Sequence, residues 1–194
     1  MKKLISILTI ILFTTTIANA GQNDNTITLK TINNKTIHIL GNDKGFIIPE
    51  YKGKIMFVEF WGTHCPPCLT SIPHYIDLTK KYGKDIAILA IEVQDTSKDR
   101  LKAFVAAKGI NYDIVDYRTG YYFVQYIAQR AQWKGSIPLL LILDQKGVVQ
   151  IIQPGLIPEN QLETVIKSMI KKAKSTSSKP SKEQNKTTKP KQTA

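Results

Sequence analysis

The chain has 194 residues, 42% hydrophobic and 22% charged, which suits one domain with its own core and little more. Its net charge of +12 invites a nucleic-acid reading until the charge is located. Eight lysines and one acid in residues 171–194 account for +7, and Lys2 and Lys3 for +2, leaving +3 on the remainder. That is an ordinary surface, and no basic stripe interleaved with aromatics accompanies it, so nucleic acid is set aside as a partner.

Residues 1–20 read as a cleavable signal peptide. Lys2 and Lys3 open it, and an apolar run over residues 4–17 follows, diluted by Ser6, Thr9 and Thr14, Thr15 and Thr16. Ala18-Asn19-Ala20 then offers small residues at a cleavage site. An uncleaved N-terminal anchor is the competing reading, although the run is short for a spanning helix. No cysteine follows the run, so a lipoprotein anchor is not expected. The mature chain is expected to be exported, soluble and periplasmic.

Residues 23–40 predict a hairpin, with Ile27 and Leu29, then Ile37 and Ile39, alternating with polar neighbours around Asn33-Asn34. Residues 41–53 read as a loop. Residues 55–61 form a nearly continuous apolar run, as for a strand buried on both faces. Pro66 and Pro67 suit the opening turn of a helix, which should run to about Tyr82 with Pro73 kinking it. A second buried strand covers residues 86–93. Thr96 or Ser97 caps the next helix, which stops at Gly109. A short strand over 112–117, a helix over 121–133, a strand over 139–143 and its antiparallel partner over 148–152 follow. Pro158 opens a last helix. Strands alternating with helices and ending in a hairpin and helix predict an α/β sandwich with a mixed sheet. The domain is expected over residues 21–170, and the Lys-, Ser-, Thr- and Pro-rich residues 171–194 as a disordered tail.

The two cysteines, Cys65 and Cys68, are separated by Pro66 and Pro67. A bridge across so short a loop constrains the unfolded chain little, so the pair reads as redox-active or metal-binding. A helix starting at the motif supplies unpaired N–H groups and the positive end of its dipole, which favour a thiolate. Cys65 lies at the mouth, suited to attack a partner disulfide. Cys68 lies one turn inside, suited to resolve the mixed disulfide. The prolines remove two N–H donors and stiffen the ring. His64 is a candidate modulator of the thiolate, whereas His74, nine residues beyond Cys65, reads as a surface residue.

Glu59 is a carboxyl inside a buried strand, six residues before Cys65. Burial raises a carboxyl's pKa and fits it to exchange the proton that Cys68 must lose. Pairing with a lysine or reaching a sheet edge is the competing reading. Glu92 is a weaker candidate of the same kind. Pro138, after Ile137, enters a strand where it cannot donate to the ladder. If cis, it would bring the Ile137 backbone beside the cysteines; a trans proline ending a loop is the alternative.

The run Phe60-Trp61-Gly62-Thr63-His64-Cys65-Pro66-Pro67-Cys68, with Pro73, Ile137-Pro138, the strand ending at Asp144, Lys146-Gly147 and the segment Tyr51-Lys52-Gly53-Lys54, resembles the thioredoxin superfamily. The resemblance is to the exported TlpA/ResA-like branch, which includes cytochrome c maturation reductases, and it covers about residues 25–170. It implies a thioredoxin fold: a central mixed β-sheet flanked by helices, with an N-terminal β-hairpin and a central helical insertion over residues 97–134. It implies an attacking Cys65, a resolving Cys68, a cis Pro138 and an acid at Glu59, with Trp61 among the flanking residues. The implied chemistry uses no cofactor beyond a redox-active Cys65–Cys68 disulfide and no metal. The implied partners are disulfide-bearing exported proteins, apocytochrome c among them, and a membrane thiol electron donor. His64 departs from the usual Trp, Pro66-Pro67 from the usual dipeptide, and Ile137 from a small or polar residue; these bear on potential and partner. An oxidase or isomerase direction is the first alternative and a Cu(I)-binding module on two thiolates the second.

Overall fold

The computed structural model describes residues 26–177. The signal-peptide reading, and all of the tail beyond Ser177, lie outside the described residues. Two sheets form. β1 (Thr26–Lys30), β2 (Thr36–Asn42) and β3 (Gly45–Ile47) make an antiparallel sheet in that order. β4 (Ile55–Trp61), β5 (Ile86–Glu92), β6 (Asp113–Val115), β7 (Leu139–Leu143) and β8 (Val149–Pro154) make the central sheet, in the order β6-β5-β4-β7-β8. β6, β5 and β4 are parallel; β7 and β8 are antiparallel to their neighbours. The helices are α1 (Pro66–Tyr82), α2 (Lys98–Lys108), α3 (Tyr117–Arg130) and α4 (Glu159–Ser177).

Every residue of β4 is buried, as its unbroken apolar run predicts for a central strand covered on both faces. Its side chains alternate between two cores. Met56, Val58 and Phe60 face the N-terminal sheet and α3, meeting Leu29, Ile37, Ile39, Phe46, Phe123 and Ile127. Ile55 and Phe57 face α1 and α4, meeting Tyr75, Leu78, Leu162 and Ile166. Trp61 continues that face into a third cluster with Cys65, Cys68, Ile72 and Leu101 of α2.

Four features differ from the sequence expectation. The segment expected as a loop contains β3 and a 3-10 turn at Pro49–Tyr51. β3 pairs antiparallel with β2 as a tight hairpin, and two distant bonds hold it in place: Phe46 N donates to Gly147 O at 3.0 Å, and Val149 N to Lys44 O at 3.0 Å. Gly147, at φ 77°, allows this approach, because a Cβ there would lie 2.4 Å from Phe46 O. Second, α3 starts at Tyr117, since the Asp116 side chain accepts from Thr119 N at 3.0 Å and caps it. Third, the short strand expected over 112–117 is shorter still: β6 spans Asp113–Val115, between the two helices of this stretch and at an edge of the central sheet. Fourth, α4 runs through Ser177, seven residues into the segment assigned to the tail, because its lysine-rich end is a good helix former. No helix among the described residues is long and apolar enough to cross a membrane.

Candidate active site

β4 and β5 run parallel, so their C-terminal ends open on the same edge of the sheet. The chain leaves β4 at Trp61, crosses Gly62-Thr63-His64 and enters α1 with Cys65 as the N-cap. Pro66 and Pro67 fill the first two helical positions and bring no N–H. The first helical N–H belongs to Cys68, and it donates to Cys65 Sγ at 3.3 Å. α1 continues through Pro73. No acidic residue lies in its first turn, so nothing offsets the positive end of the helix dipole there.

Cys65 and Cys68 are joined in a disulfide, their Cα atoms 5.2 Å apart. Cys65 keeps 6% of its surface exposed and Cys68 none. Trp61 packs in the same cluster at 2% exposure, its ring centroid 5.8 Å from that of Phe104. Its Nε1 is buried without a hydrogen-bond partner. The Ile137–Pro138 peptide is cis, and Ile137 packs against the cluster that contains both cysteines.

Glu59 lies on the α1 side of β4, 1% exposed, between strand partners Ala90 and Leu140. Ser71 Oγ lies 3.0 Å from Glu59 Oε1 and 2.8 Å from Cys68 O. Tyr75, one turn further, also hydrogen-bonds the carboxyl. Burial pushes the Glu59 pKa up to about 8, and the bonds from Ser71 and Tyr75 hold it partly down. Among the described residues no lysine pairs with it, and it sits in the middle strand of the sheet rather than at an edge. Burial and the nearby Glu59 push the Tyr75 phenol's own ionisation upward.

A second buried carboxyl, Glu92, ends β5. Its Oε1 accepts from Gln94 N at 3.0 Å and Thr96 Oγ1 at 2.9 Å, and its Oε2 from Thr96 N at 3.1 Å. The turn it holds reaches across to the loop before Cys65: His64 N donates to Gln94 Oε1 at 2.8 Å. Gly62 makes the approach feasible, since a Cβ there would lie 2.2 Å from Gln94 Oε1.

The predicted residues Glu59, Trp61, His64, Cys65, Pro66, Pro67, Cys68, Ile137 and Pro138 therefore belong to one end of the central sheet. His74 is on α1, away from the disulfide, with a buried and unpaired Nδ1 rather than a free surface ring. Sequence reasoning missed Ser71, Tyr75, Thr63, Gln94 and Thr96. Ser71 and Tyr75 were legible as polar groups on the helical stripe Cys68-Ser71-Ile72-Tyr75-Leu78 that faces the core. Thr63 stood in the motif run and Thr96 as a candidate helix cap, but nothing in the sequence marked either of them, or Gln94, as part of the site. Among the described residues no group of three or more His, Cys, Asp or Glu side chains is placed to hold a metal ion.

The model of the AhpC/TSA family matches residues 31–152. The chain belongs to that family. Among curated relatives it is 27% identical over 118 residues to the thioredoxin-like protein YneN of Bacillus subtilis, covering 60% of this chain and 65% of that protein. It is 28% identical over 123 residues to the thiol-disulfide oxidoreductase ResA of Geobacillus kaustophilus, covering 63% and 67%. The match thus spans about two thirds of these relatives' length. A solved thiol:disulfide interchange protein of the thioredoxin family, from Chlorobium tepidum, superposes with a TM-score of 0.59 at 21% identity, over 75% of this chain and 93% of that one. The fold is thioredoxin-like, as the resemblance implies.

Proposed function

We propose that this protein is an exported thiol–disulfide oxidoreductase that works as a dithiol reductase in the periplasm. It reduces disulfides of exported proteins, apocytochrome c among them, and is itself reduced by a membrane thiol donor. The observation that carries the reading is the Cys65–Cys68 disulfide at the open end of α1, with a buried carboxyl linked to it through Ser71.

In the reduced protein, the dipole of α1 and the Cys68 N–H favour a thiolate at Cys65, the cysteine with surface left exposed. Its sulfur attacks one sulfur of the substrate disulfide and forms a mixed disulfide, and the other substrate sulfur leaves. Cys68, fully buried, loses its proton to Glu59 and displaces the second substrate sulfur. Two electrons pass to the substrate, and the Cys65–Cys68 bond re-forms. A carboxyl with a pKa of about 8 is partly ionised near neutral pH; its carboxylate form takes the Cys68 proton and then passes it to the departing substrate sulfur. Ile137 packs against the cluster that holds both cysteines and Trp61, and the cis Ile137–Pro138 segment supplies the surface on which an extended substrate segment rests.

Equilibration of the pair against glutathione or dithiothreitol tests the direction. A potential near or below roughly −250 mV, toward the thioredoxin end of the range, supports the reductase. A value of about −120 to −180 mV would reverse the reading to an oxidase or isomerase.

A further inference from the structure

Between β5 and the loop before Cys65 runs a chain of hydrogen bonds that disulfide exchange as described above does not use. Thr96 Oγ1 donates to Glu92 Oε1 at 2.9 Å. Thr96 Oγ1 and Thr63 Oγ1 are 2.9 Å apart, and Thr63 Oγ1 is 3.0 Å from His64 Nδ1. The direction of each bond follows from counting protons. Glu92 receives three donors and serves as acceptor alone. A hydroxyl has one proton, and that of Thr96 is committed to Glu92, so Thr96 must accept from Thr63. Thr63's proton is then committed as well, so Thr63 must accept from His64. The proton on the neutral imidazole therefore sits on Nδ1. This reverses the preference of free histidine, whose neutral ring favours Nε2–H. Nε2 is left with its lone pair on an exposed side chain, and no protein group among the described residues bonds it.

We propose that Glu92, acting through Thr96 and Thr63, fixes His64 in the Nδ1–H form so that Nε2 serves as the acid–base group for Cys65 during exchange with substrate. This rests on the oxidoreductase reading and adds the missing proton carrier for the first half of the exchange; Glu59 serves the second. Nε2 takes the proton from the Cys65 thiol before attack and so supplies the thiolate that the helix end favours, which then attacks the substrate disulfide. The Cys65–substrate S–S bond forms and the substrate S–S bond breaks. The departing sulfur carries off the electron pair and takes the proton back from Nε2. His64 ends neutral, and no other reagent is consumed. His64 is the catalytic group, and Thr63, Thr96 and Glu92 are positioning residues. The backbone bond from His64 N to Gln94 keeps the histidine in register with Cys65.

The test uses the reduced protein, with histidine ring nitrogens followed by 15N NMR and His64 assigned by its loss in His64→Ala. The expected neutral His64 carries its proton on Nδ1, and Thr63→Val moves it to Nε2. Alkylation of Cys65 by iodoacetamide at neutral pH should slow about tenfold in Thr63→Val and in His64→Ala, a fraction of what a positioned acid–base group can supply. Thr63→Ser should restore both the tautomer and the rate, which a loss of packing alone would not allow. A wild-type His64 protonated on Nε2 would overturn the relay, as would Thr63→Val or His64→Ala alkylating at the wild-type rate. Turnover of a protein disulfide such as that of insulin by the wild type is measured alongside. Its absence counts against the oxidoreductase reading, whereas the tautomer and the Thr63 rescue bear on the relay alone.

Discussion

Ser71 bridges the resolving cysteine and the buried acid: its hydroxyl lies 2.8 Å from the Cys68 carbonyl and 3.0 Å from Glu59 Oε1. The bridge exists because Cys68 and Ser71 are three residues apart on one face of α1, and because Glu59 points toward that face from the central strand. Among the described residues this carboxyl has no charge partner, so its proton affinity depends on burial and on two hydroxyls.

Glu59→Gln tests that dependence through stability. The folded protein holds the Glu59 proton up to about pH 8, while the unfolded chain releases it near the ordinary value of 4.5. The unfolded state therefore gains from ionisation as pH rises through that window, and the wild type loses stability there, at most about 1.4 kcal/mol per pH unit. Glu59→Gln should remove this loss. Urea unfolding at pH 5 and pH 9 should show a smaller difference in the variant than in the wild type. Equal differences would mean that Glu59 ionises normally in the folded state.

Ser71→Ala removes a donor that holds the Glu59 pKa down, so the acid should titrate still higher. The expected cost in stability is about 1–2 kcal/mol, from a buried carboxyl left with one fewer partner. The pH–rate profile for resolution of a mixed disulfide should move to the alkaline side. A profile that stays in place would separate Ser71 from the proton path.

The cysteines should behave unequally. Cys68→Ser should accumulate a mixed disulfide between Cys65 and substrate, visible as a band removed by reductant on a non-reducing gel. Cys65→Ser should trap nothing, since the remaining thiol is fully buried. Trapping by Cys65→Ser instead would exchange the two roles. If both variants lose a bound copper and neither traps protein, the metal-binding alternative takes over.

Phe123 ties the two sheets together. Its ring meets Phe46 of the N-terminal sheet at 5.2 Å, edge-on, and Phe60 of β4 at 5.9 Å. Phe123→Ala should cost about 3–5 kcal/mol, the usual loss for a fully buried aromatic. Thermal and urea unfolding measure it. A loss below ~1 kcal/mol would mean that the N-terminal sheet adds little to the stability of the central one.

The sequence by itself determined the central strands, the position of the reactive pair and the start of α1. Nearly continuous apolar runs of this length cannot be solvated on either face, and Cys65-Pro66-Pro67-Cys68 cannot lie mid-helix without breaking it. Glu59 stood out because a carboxyl in such a run must meet burial with a raised pKa or a partner. Tertiary structure alone decided which of those it was. It also tied Gly45–Ile47, a strand paired locally with β2, to groups a hundred residues away at Gly147 and Val149. It likewise decided the His64 relay, which depends on Thr63 and Thr96 meeting across 33 residues of chain. Periodicity reports the face a residue presents to its own element. A hydrogen bond between two loops depends on where the parallel strands that carry them end, and that is set only when the sheet is assembled.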